Sequence, residues 1–318
     1  MSSSSSGEAP GEGSRAGIRT VRWAFLVLAA TGAAQIAIYQ LADSVSLLAA
    51  AFHNLGDAFS AVPLWIAFRV QLMPPSERFP YGRGRFEDLA GLAILCLIFL
   101  SGALSLWTSA GRLVHPEPVG DLPVVAVAAV VGYLGNELCA QIRWRTARKI
   151  GSVSLEADAW HSRLDGLTNL AVLGGVAGIA FGFPLADPLV GLGVTGLIFL
   201  TLFEVGRPVL LHLTDAFDPK LSEEIRQSVR LVPRVRGVSS VRARWVGHRI
   251  LADLSISVDG HLTMDEGHAV AVEVRHTLLH HLPNLADAMV HVDPTSEEGP
   301  HFHSAQPHAH DGLDAHAH

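Results

Sequence analysis

Charge is scarce in this chain: Asp, Glu, Lys and Arg together make up 17% of the residues, against roughly 25% in an ordinary soluble domain. With a mean hydropathy of +0.32, that shortage excludes a purely water-soluble globule. Cysteine is scarcer still. The two present, Cys96 and Cys139, both lie inside apolar runs, which excludes a disulfide scaffold and a cysteine zinc ribbon alike. No G-x-x-x-x-G-K-[ST] phosphate loop occurs, so no use of ATP is expected. H-E-x-x-H is missing as well, and a net charge of −7 gives no footing for nucleic acid.

What is abundant is histidine, with 17 residues against 23 Lys plus Arg. Apolar residues total an ordinary 49%, so the hydropathy must be concentrated in one part of the chain, and the division falls near residue 214. Residues 1–20 form a small, polar leader that is expected to be disordered, and it does not read as a signal peptide. Six stretches near 21–42, 45–70, 87–111, 121–143, 151–182 and 187–213 approach the roughly 20 residues that a membrane-crossing helix needs. Residues 21–214 are therefore predicted to be a six-helix transmembrane domain. Ser152 to Asp165 is polar for such a segment. Basic residues cluster before the first span (Arg15, Arg19, Arg22), around the second connection (Arg69, Arg78, Arg83, Arg85) and in the fourth (Arg143, Arg145, Arg148, Lys149). The third carries only Arg112. By the positive-inside rule both termini are predicted to be cytoplasmic, with the cell membrane as the expected location.

Residues 215–294 carry the pattern of a small soluble domain of order αββαβ, a ferredoxin-like or metallochaperone-like arrangement. Asp218-Pro219 opens a helix through Leu231. Val235 to Trp245 is a weak strand, and Ile250 to Val258 alternates apolar with polar as a half-buried strand does. Thr263 with Glu266 makes a capping box ahead of a helix through Leu282, and Ala288 to Val292 is a short last strand. The tail, 295–318, holds six histidines without apolar periodicity. It reads as disordered and metal-buffering, against the alternative of a solubilising tail.

His53 and Asp57 lie four apart in the second span, and His161 and Asp165 repeat that spacing in the fifth. Residues four apart share a helix face, so two packed helices would present two nitrogens and two carboxylates to one ion. That set suits tetrahedral Zn²⁺. The plainer reading is that each pair is polar glue between helices. Two pairs of equal spacing at membrane depth, where an ionised carboxylate costs several kcal/mol, favour a functional site. Asp158 reads as a residue at the helix mouth, with a hydrogen bond orienting His161 as the alternative. Glu137 is expected to pair with Arg143 or another basic group nearby. His276 and His280 share a helix face and read as solvated.

The chain resembles the cation diffusion facilitators, proton-coupled exporters of divalent metals. The resemblance runs from Arg22 to Pro294 and rests on AAAFHNLGDAF, PYGRGRFEDLAG, LEADAWHSRLDGLTNL, and EGH followed by MVHVDP. It implies a homodimer, a metal transport site of His53, Asp57, His161 and Asp165, and a cytoplasmic domain that pairs across the dimer. It also implies a charge contact near the membrane surface, at Arg85 and Asp215. Phe79 and Arg83 replace the histidines of a further metal site found in some members, so that site is not expected. In the terminal domain His268, His291 and Asp293 match metal positions, while Ser239 and Ser255 stand where two histidines would be expected. Two readings stand: a single, weaker cytoplasmic site for regulatory zinc that includes His268, His291 and Asp293, with His248 and His261 as nearby substitutes, or a His291 that is a strand-end histidine bonded locally.

Imidazole and carboxylate bind metal only when deprotonated, so metal and protons compete for one set of ligands. The predicted function is zinc export by proton antiport with alternating access, not enzymatic catalysis. Iron, cobalt, cadmium or manganese are the alternative cargoes. A zinc-dependent membrane enzyme is a rival, which four facing ligands disfavour because they close the coordination shell. A metal sensor with a membrane anchor is another, and it leaves the midplane charges without a purpose.

Overall fold

The computed structural model describes residues 11–42, 61–114, 122–183, 185–282 and 284–295. The chain divides into a helical unit and a carboxy-terminal unit of sheet and helices. The helical unit contains α1 (Glu12–Ala42), α2 (Val62–Gln71), α3 (Arg85–Val114), α4 (Leu122–Ile150), α5 (Val153–Ala180) and α6 (Ala186–Leu213). Among the described residues, four helices are long and apolar enough to cross a membrane: α1, α3, α4 and α6. The predicted fifth span is present as α5, 28 residues long. Its polar amino-terminal half keeps it out of that apolar class. Of the predicted second span the ten residues of α2 are described, whereas His53 and Asp57 lie outside the described residues.

Two helix boundaries differ from the hydropathy pattern for a common reason. α1 begins at Glu12, inside the segment expected to be leader, and α4 continues past residue 143 to Ile150. Hydropathy marks only the length immersed in hydrocarbon, whereas a helix extends beyond the membrane as long as its residues tolerate helical backbone.

α4 and α5 form a tight antiparallel pair. Gly151, with φ +70, supplies the left-handed residue that ends α4. Ser152 then caps α5, its Oγ accepting the Leu155 amide at 3.1 Å. Gly132 permits close approach farther along, because a Cβ there would collide with Asn169 of α5. Small residues do this routinely where helices pack without a hydrophobic driving force. α5 also packs on α3 and α6, and α1 on α2 and α4. The apolar core of this unit includes Leu64, Phe68, Ile94, Ile98, Leu155 and Ile198.

A buried polar knot joins several helix ends. Glu87 of α3 accepts from Ser152 Oγ at 2.5 Å and from Gln71 Nε2 at 2.6 Å, while its backbone carbonyl accepts from Ser154 Oγ at 2.8 Å. Elsewhere Arg112 of α3 meets Asp187 of α6 at 2.8 Å. The only basic side chain of the third predicted connection is thus paired with an acid.

The carboxy-terminal unit follows the predicted order: α7 (Pro219–Arg230), β1 (Gly237–Val246), β2 (Arg249–Val258), α8 (Met264–His281) and β3 (Leu285–Pro294). The strands lie in the order β1-β2-β3, with β2 and β3 parallel, a pairing that requires the helical crossover α8 supplies. Ile250, Ala252, Leu254, Ile256 and Val258 bury one face of β2 against α7 and α8 through Ile225, Val229, Val270, Val274 and Leu278. Each large aliphatic buried this way contributes about 1.5–3 kcal/mol. β3 is longer than its apolar run predicts, because Asp287 to Pro294 stays in register with Leu251 to Val258 whatever its side chains. Backbone pairing sets that length.

Candidate metal transport site

The polar half of α5 is buried within the bundle. Asp158, His161, Ser162 and Asp165 are all nearly inaccessible, and their spacing of three, one and three puts them on one side of the helix. His161 Nδ1 stands 3.5 Å from Asp165 Oδ2, one turn along. Asn169 continues the face, its Nδ2 donating to the Asp165 carbonyl at 2.8 Å. The pair offers one imidazole and one carboxylate inside the bundle. That is half of the predicted donor set; the other half, His53 and Asp57, lies outside the described residues.

Around this pair the structure corrects the reading of Asp158. It is not a residue at the helix mouth: it is completely buried, with Oδ2 2.9 Å from Nε of an equally buried Arg143 on α4. Arg143 also donates to Ser162 Oγ and, at 3.4 Å, to the Asp158 carbonyl. Position alone hid it, since Arg143 opens a basic run that reads as a cytoplasmic connection. The one available signal was an acid within a span so near a basic residue of the preceding helix. Glu137 pairs instead with Arg163 at 3.2 Å. Arg163 lies over the rings of Trp144 and Trp160 at 5.1 and 5.9 Å, an aromatic seat of the kind that guanidinium groups favour.

Arg85, expected in a charge contact, donates to the His212 carbonyl at 2.7 Å and lies 3.4 Å from Asp88. Asp215 lies 3.8 Å from Arg244. Arg83 sits over the Phe79 ring at 4.7 Å and donates to the Pro74 carbonyl at 2.9 Å.

In the carboxy-terminal unit His291 Nε2 is 2.9 Å from Asp293 Oδ1, two residues along β3. The histidine is exposed and the aspartate buried. Ser255 is the β2 register partner of His291 and bonds to Ser240 Oγ at 3.1 Å. His268 is exposed on α8. Among the described residues no three His, Cys, Asp or Glu side chains gather as a metal site, so His268 does not join the His291–Asp293 pair in a three-residue group. His276 and His280 meet edge to face with ring centroids 4.4 Å apart on the exposed side of α8.

Comparison with known proteins follows this division of the chain. Residues 21–214 match the cation efflux transmembrane domain, and residues 217–295 match the cytoplasmic domain of cation efflux proteins. The chain is 43% identical to a probable cation efflux system protein of Mycobacterium tuberculosis, over 89% of this chain and 85% of the relative. It is 30% identical to the cation-efflux pump FieF of Yersinia pestis, over 80% of this chain and 84% of that one. A solved MamM carboxy-terminal domain is similar to 24% of this chain and 94% of its own length, at 29% identity and a TM-score of 0.23. By the family models that match both of its parts, the chain belongs to the cation efflux family, the cation diffusion facilitators, and is an integral membrane transporter of divalent metal cations rather than an enzyme.

Proposed function

We propose that this protein exports zinc in exchange for protons, as a homodimer, with His53, Asp57, His161 and Asp165 as the ligands of the transported ion. The observation that carries the reading is the buried His161–Asp165 pair, 3.5 Å apart within the bundle. A carboxylate at that depth is costly without a partner. An ion shared by two such pairs would neutralise both, and two nitrogens with two carboxylate oxygens suit zinc better than a harder cation.

Exchange follows from the ligands themselves. Metal binds the deprotonated imidazole and carboxylate, so protons arriving from the far side displace it. Histidine titrates near pH 6.5 when unperturbed, within about a unit of physiological pH, which makes that displacement reversible. The bundle alternates between inward-open and outward-open states, with both termini cytoplasmic and the cell membrane as host. The dimer's charge contact at Arg85 and Asp215 belongs to the same proposal. So does regulatory zinc in the carboxy-terminal unit, centred on His291 and Asp293, with His268 completing the site only if side chains rearrange.

Proteoliposomes test this directly, with zinc flux followed with and without a pH gradient. Flux that accelerates when protons run down their gradient against the metal is the expected result. Zinc flux indifferent to the gradient would remove the antiport, and flux of manganese or iron in preference to zinc would reassign the cargo.

A further inference from the structure

Beside the proposed ligands lies an ion pair that metal coordination does not use. Arg143 of α4 and Asp158 of α5 are both completely buried and 2.9 Å apart. The same guanidinium donates to Ser162 Oγ, whose hydroxyl in turn reaches Cys139 Sγ of α4 at 3.8 Å. Asp158 precedes His161 by three residues and Ser162 follows it directly, so both acceptors flank His161 on one turn of α5.

Stability gives little reason to build such a pair. Withdrawing two charges from water consumes most of what their attraction returns, and an apolar pair of the same volume is often as stable. What the guanidinium does supply is geometry, because its planar fork holds two acceptors in fixed directions where an ammonium would not. It also balances charge. Asp158, His161 and Asp165 stand at i, i+3 and i+7 on one face, so an uncompensated Asp158 would be a further anionic oxygen donor close to the ion.

We propose that Arg143 is a positioning residue for transport: through Asp158 and Ser162 it fixes the His161 turn of α5 against α4, and it withholds the Asp158 carboxylate from the metal. The inference rests on the assignment of His161 and Asp165 as ligands. Groups that orient metal ligands commonly change affinity by about 10–100-fold when removed.

The test compares variants of the full-length protein in proteoliposomes. Arg143→Leu combined with Asp158→Leu removes both charges and leaves neither buried alone. Its expected result is an unchanged thermal midpoint with the KM for zinc raised about tenfold, a shift within the range of such orienting groups. Arg143→Gln alone releases Asp158, and manganese flux should rise relative to zinc because a third carboxylate hardens the site. A purely structural pair would instead lower yield or thermal midpoint while leaving KM and metal ranking unaltered in the folded protein, and that outcome overturns the proposal. If the double variant does not reach the membrane, Arg143→Lys and Ser162→Ala decide: each keeps the buried charge balance and should raise KM severalfold, and wild-type KM in both overturns the proposal equally. Asp165→Ala separates the two levels of inference. Persistent flux in that variant refutes the ligand assignment, whereas unaltered Arg143 variants beside an inactive Asp165→Ala refute only the positioning role.

Discussion

His161 Nδ1 lies 3.5 Å from Asp165 Oδ2, one turn along α5, with both side chains shielded by neighbouring helices. Neither residue has bulk water to neutralise or hydrate it.

Asp165→Ala is expected to reduce zinc flux to the level of empty vesicles while the protein still inserts in the membrane. It removes a proposed anionic ligand outright, a larger loss than the roughly 10–100-fold typical of residues that merely orient ligands. Zinc flux by Asp165→Ala proteoliposomes measures this, and substantial transport would dismiss the site.

Truncation after Thr295 should leave flux at saturating zinc unchanged, since the membrane ligands remain. At scarce zinc the rate should fall, because the six histidines of the tail are no longer there to buffer metal. Flux measured across a range of zinc concentrations separates these regimes, and an inactive truncation at high zinc would contradict the buffering role.

His53→Asp should shift preference rather than abolish function. The ligand count is kept while one nitrogen becomes a hard oxygen, leaving one imidazole and three carboxylates. Cadmium or manganese flux should rise as a fraction of zinc flux, since oxygen-rich sites suit harder or larger cations. Transport competition among the metals reads this, and an unaltered ranking would mean that His53 does not touch the ion.

The start of α8 should show a mild dependence on acid. Thr263 and Glu266 form a reciprocal capping box, with the Thr263 amide donating to Glu266 Oε2 at 3.0 Å and the Glu266 amide to Thr263 Oγ1 at 3.3 Å. Hydrogen bonds from the Thr263 amide and hydroxyl hold the Glu266 carboxyl below its ordinary value. A depressed folded pKa contributes stability above the unfolded pKa, and that contribution is lost as pH falls through the folded one. Protection of the first-turn amides of α8, measured against their intrinsic exchange rate at each pH, should therefore fall below about pH 4.5, near the ordinary glutamate value. Thr263→Ala should lower that protection already at neutral pH, by the roughly 1 kcal/mol that such caps contribute. Exchange unaffected by either change would show that the cap does not govern this turn.

How far the sequence reached depended on whether a signal was local. The order of helices and strands in the carboxy-terminal unit was legible because apolar alternation in Ile250–Val258, the Asp218-Pro219 start and the Thr263–Glu266 box each act within a few residues. The His161–Asp165 pairing was equally local, as a helix brings residues four apart together whatever surrounds it. Arg143 was not legible in this way. Its place in a basic run marked it as a solvated residue, and only the packing of α4 on α5 buried it against Asp158.

By itself, then, the sequence determined which segments are helix or strand, that part of the chain is too apolar for water, and which spacing presents histidine with aspartate. These follow from short-range backbone geometry and from transfer free energies that each segment carries alone. Tertiary structure decided which charges meet. Glu137 with Arg163, Arg112 with Asp187, and Arg143 with Asp158 are 26, 75 and 15 residues apart. No local periodicity encodes such distances; they depend on how whole helices stack, and for Arg143 with Asp158, both completely buried, burial makes the pairing obligatory because an unpartnered charge in that interior is far too costly to leave.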